Sequence, residues 1–110
     1  MIARHWRGLP KADQIENYTR YFLTETFPRL AKIAGFLSAS ILTRRVLAGT
    51  EFLIVSYWES LDAIQHFSGD DPELAVIPDA VRAMMSDYDI RAVHYGVIET
   101  YDPTTQVTHG

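Results

Sequence analysis

The sequence predicts an α+β fold with an antiparallel sheet, in the β-α-β-β-α-β order of a ferredoxin-like unit. Three observations carry that prediction. Period-two alternation occurs at 1–7, at 35–45 with 52–58, and at 90–99. Helical spacing fills the gaps between these stretches, and both faces of the middle strands carry apolar side chains. A chain of 110 residues allows one core, so a single domain is assigned to 1–101 and a patternless, flexible tail to 102–110.

The first strand sets Ile2, Arg4 and Trp6 on one side and Ala3, His5 and Arg7 on the other. "GLPKADQ" turns the chain. A helix follows from about 12 to 27, with Ile15, Tyr18, Phe22 and Glu25 at spacings of three and four, Asp13 serving its start, and Pro28 ending or kinking it. In 35–45, Phe36, Ser38, Ser40 and Leu42 face one way, and Leu37, Ala39 and Ile41 the other. In 52–58, Phe52, Ile54, Ser56 and Trp58 oppose Leu53, Val55 and Tyr57. Ser60 is an N-cap for a second helix with Leu61, Ile64 and Phe67 inside, and Gly69 stops it.

Asp71 and Pro72 read as the start of a further helix, with Leu74, Ile77, Val81 and Met84 inward. The last strand, about 90–99, places Ile90, Ala92, His94, Gly96 and Ile98 on one face and Arg91, Val93, Tyr95 and Val97 on the other. Helices cover one sheet face; the apolar residues on the second call for a second copy of the chain, a homodimer through the sheet.

Composition limits the function classes. The formal charge is −4, from 10 basic and 14 acidic residues, and the basic pair Arg44-Arg45 is no electropositive footprint; nucleic acid is not expected as a partner. Cysteine is absent, which removes disulfides and thiolate chemistry and fits a reducing cytoplasm. "MIARHWRGLP" has no signal-peptide core and "FLIVSYW" is too short to span a bilayer, so a cytoplasmic protein free of membrane is expected. No histidine pair has i, i+4 spacing and no phosphate-loop glycine pattern occurs, so neither a metal site nor nucleotide binding is expected.

"RHWRG", "FLIVSYWESLDAIQHFSGDDPELAVIP" and "YDIRAVHYGVIE" together resemble the antibiotic-biosynthesis-monooxygenase-like family over residues 1–100. The resemblance implies a dimeric α+β barrel with a pocket between sheet and helices in each subunit. It also implies one of several activities: cofactor-independent oxygenation of aromatic phenols, haem degradation, or none. For the haem-degrading pattern only the tryptophan carries over, onto Trp58; the first strand has no asparagine and "LAVIPDAVRAMM" no histidine.

Of the candidate residues, His94 is the first. A neutral imidazole suits removal of a phenolic proton, making a carbanion that dioxygen can oxidise; the alternative is a hydrogen-bonded histidine that steadies strand-helix packing. Trp58, Trp6 and Phe22 are either core or the wall of a site for a flat ligand. Arg4 would stabilise a phenolate if its face lines the pocket, and a pocket uses either His5 or the Arg4/Trp6 face. His66 faces solvent or the sheet edge, as a possible substrate contact. Asp87, Asp89 or Asp102 would fix the tautomer of His94 if one lay beside it. The expected function is a monooxygenase without cofactor acting on a hydroxylated aromatic or polyketide-like compound; the alternatives are a non-catalytic binding or accessory protein and an isomerase or cyclase on the same scaffold.

Overall fold

A computed structural model describes residues 1–106; His109 and the end of the expected tail lie outside the described residues. The first strand, β1 (Ile2–Pro10), runs three residues further than its alternation suggests. A continuous helical rod follows: α1 (Ile15–Tyr21), a π-helical turn at Phe22–Thr26, and α2 (Phe27–Ala31). The hairpin is β2 (Phe36–Val46) and β3 (Gly49–Trp58), and α3 (Leu61–Ser68) comes next. The chain then runs through α4 (Asp79–Met84), β4 (Met85–Tyr88) and β5 (Val93–Gly96), and ends in the helical turn α5 (Pro103–Gln106).

All strand pairings are antiparallel, in the order β2-β3-β1-β4, with β5 also on β1. β4 and β5 share one edge of β1 and act as one interrupted strand, which gives the β-α-β-β-α-β order. The barrel expectation is corrected here. The sheet has two free edges, β2 on one side and β4 with β5 on the other, and it does not close. The dimer that was to complete the barrel has no counterpart in this single chain.

Residues paired directly across strands share a face. The pairs Arg4–Ser56, Trp6–Ile54, Ile41–Ile54, Phe36–Trp58 and Arg4–His94 therefore fix one face, which the helices cover. Two core clusters fill the space between. One joins Tyr18, Phe22, Phe52, Ile54, Val81 and Met85; the other joins Leu30, Trp58, Ala63 and Ile64. The opposite face carries Val55, Tyr57, Ala3 and His5, with Tyr95 and Val93 half-exposed beside them.

Four local expectations change for physical reasons. A bulge between Phe36 and Ser38 shifts the register by one residue, so Phe36 joins Ala39 and Ile41 on the helix face. Pro28 neither ends nor breaks the rod: the Phe27 amide bonds to the Phe22 carbonyl in the π turn, and Pro28 then sits in the first turn of α2, where no N–H is needed. Asp13 does not cap α1, whose N-cap is Gln14 without a side-chain bond. Asp71 starts no helix; its carboxylate accepts the Glu73 amide at 3.0 Å in a local turn, and 69–78 stays irregular up to α4. The Ser60 cap forms as expected, accepting from the Ala63 amide at 3.2 Å.

Candidate functional site

A cavity of about 60 Å³ lies between the helix-covered sheet face and the rod α1–α2. Its walls are apolar, with Trp6 and Ile54 from the sheet, Tyr18, Phe22 and Leu30 from the rod, and Phe67 from α3. Ala75, Val76 and Pro78 of the irregular 69–78 segment form its roof. Arg4, Ser56, Thr26 and Arg29 supply the polar groups, and no Asp or Glu lines it among the described residues.

Arg4 organises this site. Alternation along β1 turns it inward, and it is only 4% exposed, so its charge is held almost out of water. One terminal guanidinium nitrogen, Nη1, donates to the Pro72 carbonyl and, at 2.8 Å, to His94 Nε2; the other, Nη2, donates to the Leu74 carbonyl at 2.9 Å. Burial depresses its pKa to about 10, and the nearby Asp71 charge offsets only part of that. Among the described residues no carboxylate touches it: Asp71 and Glu73 pair with Arg91 on the outside of the roof. A guanidinium has five N–H groups, so two of them donate to no protein atom among the described residues. No buried side-chain nitrogen or oxygen lacks a partner there, so Nε, which bonds to nothing among them, is open to solvent or cavity. The guanidinium carbon also stands 5.8 Å from the centre of the Phe67 ring.

His94 comes against Arg4 because β5 pairs with β1 at that register. Arginine only donates, so Nε2 accepts and the proton of the neutral ring is on Nδ1. Burial first, and then the Arg4 charge, hold the His94 pKa below its ordinary value. Arg4, and not an aspartate, thus sets the tautomer. Asp87 and Asp89 pair with Arg7 at the strand edge, and Asp102 accepts from Thr104.

The residues singled out in the sequence divide as follows. Arg4, Trp6 and Phe22 line the cavity, so the pocket uses the Arg4/Trp6 face. His5 lies on the far face against Tyr95, with ring centres 5.0 Å apart. Trp58 is fully buried behind the wall: it donates from Nε1 to Ser56 Oγ at 2.8 Å and stacks on Phe67. His94 touches Arg4 but does not line the cavity, and His66 is exposed on α3. Thr26, Arg29, Ser56 and the roof were not singled out. Continuing the Tyr18–Phe22 stripe by fours reaches Thr26 and Leu30, a signal hidden by ending the helix at Pro28.

No family model and no curated protein matches the sequence. Solved structures do match its fold. The haem-degrader MhuD of Mycobacterium tuberculosis, with two haems in its active site, aligns over 93% of this chain and 100% of its own at 15% identity and TM-score 0.65. A Bacillus cereus protein assigned to the antibiotic biosynthesis monooxygenases aligns over 93% and 95%, at 20% identity and TM-score 0.64. The ActVA-Orf6 monooxygenase of Streptomyces coelicolor, bound to nanaomycin D, aligns over 93% and 91%, at 17% and 0.64.

Haem does not fit the cavity described above. Among the described residues its wall offers no histidine, cysteine or methionine as an iron ligand, and burial raises the Tyr18 pKa, which disfavours a tyrosinate. Nearly the full length of the chain thus has the fold of the antibiotic-biosynthesis-monooxygenase-like proteins.

Proposed function

We propose that this protein binds a small hydroxylated aromatic molecule as its oxyanion and oxidises it with dioxygen, as a monooxygenase that needs no cofactor. The observation that carries the reading is the buried guanidinium of Arg4, which meets no carboxylate among the described residues, in the wall of an aromatic cavity. A phenolate placed there gains charge-assisted bonds from the two remaining N–H groups, which lowers the phenol pKa and delocalises charge onto the ring. His94 takes the phenolic proton once Arg4 Nη1 turns to the substrate oxygen and releases Nε2. The ring carbanion gives an electron to dioxygen and recombines with the superoxide formed. The peroxide takes the proton back and loses water, leaving a carbonyl: the substrate gives up two hydrogens and gains one oxygen, and the second oxygen leaves as water.

Entry requires the wall to give. At about 60 Å³ the cavity is smaller than the roughly 150 Å³ that admits a benzene ring. The roof is the segment to move, since 69–78 has no helix and only one isolated bridge, Leu74 to Arg91. One observation favours binding without turnover: His94 does not line the cavity, and its lone pair is already engaged.

Oxygen uptake and calorimetric binding with hydroquinone, 1-naphthol and anthrone, in wild type and Arg4→Gln, test these readings. Uptake that the substitution abolishes supports the oxygenase. Saturable binding without uptake supports the binding role. No binding of any of these by the wild type refutes both.

A further inference from the structure

A second cationic side chain lines the cavity. Arg29 also lines it, from α2, and Thr26 lies one turn earlier on the same rod. Arg29 forms no ion pair among the described residues, although Glu25 is four residues before it. Thr26 is 8% exposed, and its hydroxyl bonds no protein group there, yet no buried side-chain oxygen is left without a partner. The hydroxyl is therefore reachable, and the residue belongs to the cavity wall. Two arginines lining one apolar cavity, with no carboxylate there among the described residues, make a local surplus of positive charge in a chain whose net charge is −4.

We propose that the ligand carries a second acidic group, a carboxylate, which Arg29 pairs with and the Thr26 hydroxyl hydrogen-bonds; the substrate class is a hydroxylated aromatic carboxylic acid. The inference rests on the oxyanion reading of Arg4 given above. Arg29 is exposed, so its side chain can meet a carboxylate at the mouth while the phenol oxygen lies at Arg4. The aromatic walls hold the ring between them. Recognition by two fixed cations separates such an acid from a neutral phenol of the same size, a discrimination that apolar walls alone do not provide.

The test is calorimetric binding of p-cresol, 4-hydroxybenzoate, 4-hydroxyphenylacetate and 4-hydroxycinnamate, which place the carboxylate at increasing reach from the phenol. Wild type should bind at least one of the acids about tenfold or more tightly than p-cresol. Arg29→Gln should collapse that ratio to about one, and Arg29→Lys should restore part of it through its point charge. A preference that survives Arg29→Gln but is lost in Arg4→Gln puts the carboxylate on Arg4 and overturns the second subsite. Equal binding of acids and cresol by the wild type overturns it too, while leaving the oxyanion reading intact. No binding of any of the phenols refutes the oxyanion reading itself.

Discussion

Replacing Arg4 by methionine separates a residue kept for a ligand from one kept for the fold. The side chains have similar apolar stems, so the change is chiefly the loss of charge and of donors. Holding this cation away from water lowers its pKa from 12.5 to about 10, a penalty on the charged form of about 3 kcal/mol that methionine removes. Against that, the Pro72 and Leu74 carbonyls lose their donor, at roughly 1–3 kcal/mol each while they stay buried. The roof has no helix to break, so lifting it hydrates both carbonyls and brings that cost to the low end. The two effects nearly cancel. Arg4→Met should unfold in urea within about 2 kcal/mol of wild type, while losing affinity for hydroquinone and 1-naphthol. Local behaviour should change more than global stability. The Ala75 amide, bonded to the Ile90 carbonyl at 3.0 Å within the roof, should exchange its hydrogen faster in the variant. A global loss above about 4 kcal/mol would refute the reasoning by making Arg4 a keystone of the fold, and unchanged exchange at Ala75 would refute it by showing that Arg4 does not hold the roof.

His94 should give the folded state an acid sensitivity. Burial first and the Arg4 charge second hold its pKa below the ordinary value, so the unfolded chain takes up a proton near pH ~6.5 that the folded chain refuses. Stability present above that pH is lost as pH falls below it; His94→Gln should flatten the urea midpoint between about pH 7 and 5, and an unchanged slope would sink the assignment. Gly35 has φ +90°, and a Cβ there would stand 2.5 Å from Ala63 Cβ. Gly35→Ala should therefore cost about 2 kcal/mol or more in denaturant unfolding, through backbone strain and displacement of α3; a loss under about 0.5 kcal/mol would count against it.

Alternation along 1–7 was enough to put Arg4 and Trp6 on one face and His5 on the other, because side-chain direction in a strand follows residue parity alone. The Ser60 cap and the stop at Gly69 were legible for the same reason: each is a bond or a dihedral preference within one turn of chain. Parity failed at Phe36, where a bulge adds a residue, and the proline rule failed at Pro28, where a π turn had already absorbed the missing donor. Neither the bulge between Phe36 and Ser38 nor the π turn at Phe22–Thr26 is marked in the local sequence by a glycine or another breaker of its own. The open edges of the sheet were equally out of reach, since two-faced apolar strands report that a face seeks cover without saying what covers it. The site itself was decided only by tertiary structure. Arg4 meets Pro72, Leu74 and His94 across separations of 68, 70 and 90 residues. Thus the sequence alone determined which side chains share a face. Only the folded chain decided which face became a cavity, which loop roofed it, and that the lone pair of His94 would be held by an arginine, because those contacts exist only once distant segments are packed together.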